Sequence, residues 1–172
     1  MTDLMPSTKP TQTGSESISL KLETFLPYQL SICSNLVTNA LSRIYGERYN
    51  IGVPEWRVMV MLGEFETLTA KAIGIRTHMH KTKVSRAVAL LERRKLVTRR
   101  ANHADLREAF LSLTPAGREM YEDLAPSALE FTDKMMDAFD PADRATFIKA
   151  LGNLMKRAES VTDNIAKERN SG

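Results

Sequence analysis

The stretch of sequence that decides the fold runs from residue 80 to residue 113 and reads HKTKVSRAVALLERRKLVTRRANHADLREAFLSL. Its first half repeats apolar residues at spacings of three and four, which predicts a helix from about His80 to Lys95. Its second half alternates apolar and polar residues in two short runs, 96–101 and 108–113, around a polar turn. This alternation is typical of a β-hairpin. The segment therefore predicts a helix that leads directly into a hairpin.

The predicted helix has two different faces. On a helical wheel the apolar side is formed by Val84, Ala87, Val88 and Leu91. The opposite side is formed by Thr82, Arg86, Ala89 and Arg93, with Lys81, Lys83 and Ser85 on the flanks. Arg and Ser/Thr hydroxyls can bond base edges in the major groove, whereas Lys neutralises phosphates. We expect this helix to pack with one face and to read DNA with the other.

The charge of the chain is concentrated around this helix. Ten of the thirty residues from Lys71 to Arg100 are Lys or Arg, and only Glu92 is acidic. The rest of the chain is acidic on balance, although the whole protein has a formal net charge of +3. A local basic surface of this kind favours a polyanionic partner, and the alternative is an ordinary solvated charge run.

The flanking sequence predicts further helices. Apolar residues recur at helical spacing from Leu26 to about Tyr49, and Pro54 suits the first turn of a second helix. Thr69 is a plausible N-cap for a third, and Thr114-Pro115 and Asp140-Pro141 each begin another. Three helices followed by a hairpin are the elements of a winged helix-turn-helix. The predicted fold class is mainly α with a small β-hairpin wing.

The last helix indicates self-association. Its apolar residues form a heptad-like seam that consists of Phe147, Leu151, Leu154, Ala158, Val161 and Ile165. A second apolar row, Ile148 and Met155, lies beside this seam. One terminal helix cannot bury both rows within a small domain, so we expect a homodimer. A helix buried within one chain is the alternative. The expected organisation is a disordered arm (1–22), a helical dimerisation region (23–50 and 115–168) and a DNA-binding domain (53–114).

Composition excludes several other classes of protein. No apolar run approaches the roughly 18 residues of a membrane span, and no secretory signal is recognisable, so we expect a cytoplasmic protein. A single cysteine and three scattered histidines give no metal-ligand spacing. The chain has no glycine-rich phosphate loop and no nucleophile–base pair. We expect that the protein is not an enzyme and that it binds no cofactor and no metal.

Four segments resemble the MarR family of bacterial transcription regulators: 54–58 (PEWRV), 83–88 (KVSRAV), 90–94 (LLERR) and 111–118 (LSLTPAGR). The resemblance covers about Leu26 to Val161. It implies a homodimer whose two winged helices bind a palindromic operator in double-stranded DNA. It also implies a small-molecule effector, often an aromatic acid or a phenol, bound between the dimer and DNA-binding parts.

The candidate DNA-contacting residues come from the helix faces and from this resemblance. They are Thr69, His80, Lys81, Thr82, Lys83, Ser85, Arg86, Arg93, His103, Asp105 and Arg107. In the family wing an Asp steadies an Arg that enters the minor groove, and Asp105 and Arg107 match those positions. Leu106 stands where a second Arg is common, and His80 stands where many relatives have Asp. His80 is either an additional DNA contact or a passive substitution.

The layout of the family also suggests an effector pocket between the first, second and fifth helices. Its candidate lining residues are Tyr28, Ser31, Asn35, Trp56, Arg57 and Met59. Arg57 suits a carboxylate, and Tyr28 or Asn35 suits a phenol. The alternative is that Trp56 is a core residue and Arg57 forms an ion pair at an interface.

The resulting hypothesis is a sequence-specific repressor that an aromatic carboxylic acid or its CoA thioester releases from its operator. One alternative is a redox-sensing regulator that acts through Cys33. Family members of that kind carry the thiol where this chain has Ser31, and Cys33 falls in the apolar stripe, where a buried thiol is expected to be unreactive. A second alternative is a non-specific architectural DNA-binding protein, and a third is a protein-interaction adaptor.

Overall fold

The computed structural model describes residues 20–102 and 108–170 and confirms the predicted fold class. After a short 3-10 helix (Leu22–Thr24), the elements are α1 (Leu26–Tyr49), α2 (Val53–Phe65), β1 (Leu68–Thr69), α3 (Ala70–Thr77), α4 (Lys81–Arg93), β2 (Val97–Ala101), β3 (Ala109–Leu113), α5 (Pro115–Met136) and α6 (Pro141–Asn170). The chain divides into two compact units, of which the first ends at Val37 and the second begins at Thr38. The arm predicted for residues 1–22 lies almost entirely outside the described residues.

Helix starts are fixed by local hydrogen bonds, and two of these bonds use the capping residues that the sequence predicts. The hydroxyl of Thr69 accepts a bond from the Ala72 amide (3.2 Å), and the hydroxyl of Thr114 accepts one from the Gly117 amide (3.0 Å). The Glu55 carboxylate accepts a bond from the Gly52 amide at the start of α2 (3.0 Å). Each bond satisfies an amide that lacks a partner in the first turn of a helix.

The wing belongs to a three-stranded antiparallel sheet with the order β1-β3-β2. Along the hairpin, Val97 pairs with Leu113 and Arg99 pairs with Leu111. The strand β1, which pairs Leu68 with Leu111, was not predicted. It has only two residues, so it cannot display a two-residue period that a sequence pattern would reveal.

The hydrophobic core lies in the second unit, among the end of α1 and its connection to α2, the helices α2, α3 and α4, the sheet and the first half of α5. Sixteen apolar residues are buried there, including the four predicted on α4. Tyr45, near the end of α1, stacks on Trp56 of α2 with ring centroids 5.4 Å apart. Arg48 and Tyr49 both bind Asp123 of α5, at 2.8 and 2.7 Å. These contacts join the end of α1 to α2 and α5.

A tight junction connects α4, β2 and α5. Lys95 has a φ of 58°, the left-handed conformation that favours glycine after a helix, and the Leu96 amide donates to the Leu91 carbonyl (2.9 Å). Opposite this turn, a Cβ on Gly117 would collide with the Leu96 carbonyl oxygen. Gly117 therefore allows the start of α5 to lie directly against the start of β2.

Two helical regions expose apolar side chains. In the first unit, α1 exposes Leu26, Leu30, Ile32 and Leu36. In the second unit, α6 exposes Phe147, Ile148, Met155 and Val161, and none of its described side chains is buried. Among the described residues, no helix combines the length and the apolar character that spanning a membrane requires.

Candidate nucleic-acid interface

The helix α4 has the two faces that its sequence predicts. Val84, Ala87, Val88 and Leu91 are buried in the core. On the other side, Lys81, Thr82, Lys83, Ser85, Arg86 and Arg93 are all exposed. Packing by one face fixes the helix, so its polar side chains project together from one side of the fold. The DNA-contacting roles of these residues stay predictions.

His80 has a structural role that was not among its predicted alternatives. Its backbone is extended, and its Nδ1 accepts a bond from the Thr82 amide at 3.3 Å, so the side chain caps α4. The Asp that many relatives carry at this position has the same capping chemistry. The imidazole is nevertheless exposed at the start of the basic helix, where it can still reach a phosphate.

Thr69 is also used as a helix cap. Its hydroxyl accepts the Ala72 amide, its backbone pairs with Phe110 in the sheet, and it is only partly exposed. A hydroxyl that accepts one bond still has a proton to donate to a phosphate. The predicted DNA contact by Thr69 is therefore compatible with its capping role.

An open groove of about 920 Å³ lies between α3 and α4. Its rim carries Lys71, His78, His80 and Lys81, and Ile75, which is 67% exposed, contributes an apolar surface. The sequence patterns predicted no DNA contact for Lys71, Ile75 or His78. Helical spacing along α3 could have placed these residues on one face. However, α3 has only eight residues, about two turns, which is too short for a clear periodic pattern.

Several cations of the basic segment are already bound within the chain. Arg99 makes two bonds to Glu92, Lys71 lies 3.7 Å from Glu108, Arg94 bonds the Asn50 carbonyl (3.1 Å), and the Arg76 guanidinium lies 4.2 Å from the centroid of the Phe65 ring. Six others have no acidic partner among the described residues: Lys81, Lys83, Arg86, Arg93, Lys95 and Arg100. With respect to the described residues, these six cations form an unneutralised surface that an anion can occupy.

Three candidate residues at the wing tip, His103, Asp105 and Arg107, lie outside the described residues, as does Leu106. The Asp–Arg arrangement implied by the family resemblance therefore stays a prediction. The strands that carry this tip are described up to Asn102 and from Glu108 onward.

The six candidate effector residues fall in both units. Tyr28, Ser31 and Asn35 lie on the first part of α1, and all three are exposed. In the second unit, Trp56 and Met59 are buried, whereas Arg57 is exposed and has no ion pair to a described residue. Trp56 is thus a core residue, as one of the two interpretations held. The effector-binding roles of all six stay predictions.

Cys33 corrects an expectation. It lies in the apolar stripe of α1, but its side chain is exposed. It lines an open groove of about 470 Å³ together with Tyr28, Ile32, Leu36 and other residues of the first unit. The periodicity predicted an apolar face correctly, but among residues 20–37, the described part of the first unit, none buries that face.

Comparisons with known proteins agree with this geometry. A model described as "MarR family" matches residues 49–108. The organic hydroperoxide resistance transcriptional regulator of Bacillus subtilis is 28% identical over 103 residues, which cover 60% of this chain and 69% of that protein.

Solved structures share the fold over most of the chain. A MarR/EmrR family regulator from Acinetobacter sp. ADP1 has a TM-score of 0.75 and 23% identity, covering 82% of this chain and 99% of that one. NadR in complex with 4-hydroxyphenylacetate has a TM-score of 0.66 and 23% identity, covering 85% and 97%. The family match covers the winged-helix region and the fold is shared over about four fifths of the chain, so this chain is similar to the MarR family of DNA-binding transcriptional regulators.

Proposed function

We propose that the protein is a repressor that binds a palindromic operator as a homodimer and releases it when a small aromatic carboxylic acid, or the CoA thioester of one, binds. The observation that carries this proposal is the unneutralised surface on and beside α4. A polar helix face with exposed hydroxyls and an exposed guanidinium suits the major groove. A protein that binds chromosomal DNA works in the cytoplasm, and no catalytic role is proposed for it.

Arg86 and Lys83 have different roles in this proposal. Arg86 lies in the middle of the exposed face, where a guanidinium can form two bonds to a guanine. Lys83 lies on the flank, where an ammonium neutralises a phosphate without reading sequence. In a dimer, the two α4 helices bind half-sites about 10 bp apart, centre to centre.

The exposed apolar residues of α1 and α6 support the dimer. Ile148 and Met155 are 58% and 56% exposed, and Leu36 is 65% exposed. Rows of exposed apolar side chains on a folded chain mark an interaction site, and a second copy supplies the same rows under two-fold symmetry. The symmetry of the dimer then matches the symmetry of a palindrome.

Residue chemistry supports an aromatic acid as the effector. Arg57 is an exposed cation with no ion pair among the described residues, so its guanidinium is available to a carboxylate. Tyr28 and Asn35, both exposed, supply groups that bond a phenol. NadR, which shares the fold, was solved with 4-hydroxyphenylacetate, an acid that carries a phenol. The ligand releases DNA only if it binds the DNA-incompetent dimer more tightly.

The test is binding of the protein to its own upstream DNA and to random duplex across a range of salt, with and without aromatic acids and their CoA thioesters. Arg86→Ala is expected to cost about 1–3 kcal/mol on the upstream DNA and to leave random duplex little changed. Lys83→Ala is expected to weaken both duplexes and to flatten the salt dependence. Lys149→Ala, which removes an exposed cation from α6, is the matched control.

Equal losses on both duplexes for Arg86→Ala would remove its reading role. Equal affinity of the unmodified protein for both duplexes would leave a non-specific architectural protein, and affinity that does not respond to salt would favour an adaptor. For the effector, Arg57→Ala is expected to abolish release by a carboxylic acid while leaving DNA affinity intact. Unchanged release would contradict the role of Arg57.

A redox-sensing regulator is the second candidate, and two observations favour it. Cys33 is exposed, and the curated relative from Bacillus subtilis is named for organic hydroperoxide resistance. An organic hydroperoxide would oxidise the thiol to a sulfenic acid and would itself be reduced to an alcohol. If this candidate is correct, cumene hydroperoxide releases DNA from the protein and not from Cys33→Ser. Equal release from both proteins would exclude Cys33 as the sensor.

A further inference from the structure

The one acidic residue of the basic segment is tied to an arginine of the wing. Glu92, in the last turn of α4, accepts bonds from Nε and Nη2 of Arg99 on β2 at 3.0 and 2.9 Å. Such a paired contact fixes the plane of the guanidinium as well as its position, which a single bond to a lysine cannot do. The contact therefore defines where Arg99 points.

The register of the hairpin explains why Arg99 reaches the helix. Arg99 pairs with Leu111 and lies two residues from Val97, and both of these apolar side chains are buried. Residues two apart on a strand share a face, so Arg99 lies on the face of the sheet that packs against the helices. Arg100 lies on the opposite face and has no ion pair to a described residue. The two adjacent arginines thus have different surroundings.

The electrostatics agree with this geometry. The hydrogen bond to Glu92 raises the pKa of Arg99, so the contact stabilises the charged guanidinium. Glu92 is more buried than Arg99, with side chains 29% and 52% exposed. The returning strand has a looser tie, because Lys71 of α3 lies 3.7 Å from Glu108 beside β3. Each leg of the wing is therefore tied to a helix of the DNA-binding motif.

We propose that Glu92 is a positioning residue that holds Arg99 against α4 and keeps this guanidinium off the DNA backbone. The inference rests on the proposed DNA binding. An unrestrained arginine next to the duplex would contact phosphates of any sequence, which raises random binding without adding discrimination. Glu92 thus limits the sequence-independent part of the affinity and fixes the wing on the end of the recognition helix.

The experiment measures the salt dependence of binding to random duplex for the full-length chain. Glu92→Gln keeps the shape of the side chain but removes its charge. The released Arg99 is expected to add one phosphate contact per protomer, which steepens the plot of log affinity against log salt by about 0.9 per protomer. At low salt, the affinity for random duplex is expected to rise roughly fivefold.

A double-mutant cycle separates this role from a merely structural one. Arg99→Gln alone is expected to leave the slope unchanged, because Arg99 does not contact DNA in the unmodified protein. Glu92→Gln combined with Arg99→Gln is expected to restore the original slope. Glu130→Gln is the control, since it removes a paired carboxylate (2.7 Å from Lys134) from α5, outside the basic segment. Thermal unfolding verifies that each variant is folded.

Two results would overturn the proposal. A flatter slope for Arg99→Gln alone would mean that Arg99 already contacts phosphates. If Glu92→Gln weakened the affinity for random duplex and left the slope unchanged, the role of Glu92 would be only structural. The proposed repressor function fails separately, if the unmodified protein binds upstream and random DNA equally. The slopes on random duplex still decide the role of Glu92 in that case.

Discussion

The helices α4 and α6 are both amphipathic, but within the part of the chain that the structure describes only α4 buries its apolar face. In α4, thirteen residues contribute four side chains to the core. In α6, thirty residues contribute no buried side chain among those described, although its apolar residues recur at regular spacing. The same kind of pattern therefore has two outcomes. An apolar stripe shows that a helix needs a partner, but not whether the partner lies in the same chain.

The two helices therefore contribute to stability in different ways. The region around α4 is stabilised by burial within one chain, so its stability is a property of the protomer. The exposed stripe of α6 gains free energy only when a second surface covers it, so its contribution depends on protein concentration. Substitutions in the two helices should consequently affect different measurements.

The largest effect is expected for Leu91→Ala, which should lower the free energy of unfolding by about 2–5 kcal/mol. Leu91 is fully buried, so truncation removes apolar contacts and leaves a cavity in the core cluster to which Val88 and Leu62 also belong. Urea unfolding at a fixed protein concentration measures the loss. Leu129→Ala is the control, because it makes the same truncation on α5 at a side chain that is 67% exposed. Equal losses for both variants would contradict the contrast between covered and uncovered leucines.

A second effect is expected in self-association. Ile148→Lys should raise the dissociation constant of the dimer on the order of tenfold to a hundredfold, because it places an unpaired charge in an apolar contact. Sedimentation equilibrium measures this constant. Asn153→Lys introduces the same side chain on α6 outside the two apolar rows and should leave the constant nearly unchanged. If Ile148→Lys were also neutral, the second apolar row would not be part of the dimer contact.

The smallest effect is expected where α4 ends. Lys95 has a left-handed backbone, so Lys95→Gly should raise the free energy of unfolding by about 0.5 kcal/mol, the relief of strain being partly offset by chain entropy. Lys95→Ala is the matched variant, because it removes the charge but keeps the Cβ that causes the strain. Thermal unfolding of both variants separates the two contributions. Equal stability of the Gly and Ala variants would show that strain at Lys95 is negligible.

Periodicity and capping residues predicted most of the secondary structure. The start of α3 after Thr69, the start of α5 after Thr114 and the buried face of α4 are all confirmed, because each depends on residues close in sequence. Pairing between distant residues was harder to predict. The two-residue strand β1 and the bonds from Arg99 to Glu92 depend on how the strands pair and on where β2 lies against α4, which helical periodicity and capping residues do not predict.

The candidate site was predictable to a similar extent. The exposed side of α4 followed from the helical wheel, whereas the capping bond of His80 depends on an extended backbone just before the helix. Cys33 was misjudged because an apolar stripe was equated with burial, and the described residues of the first unit leave that stripe exposed. The wheel assigns a residue to a face, but only the packing partner decides whether that face is covered.

The close approach at Gly117 has a mechanical consequence. There is no room for a Cβ between α5 and the Leu96 carbonyl, so the start of this helix and the start of β2 are in close backbone contact. The 22 residues of α5 form a lever about 33 Å long, and a displacement of about 3 Å at the far end corresponds to a tilt of only about 5°. We therefore expect a tilt of that size to turn the wing together with the first turns of the helix, before the interior Pro126.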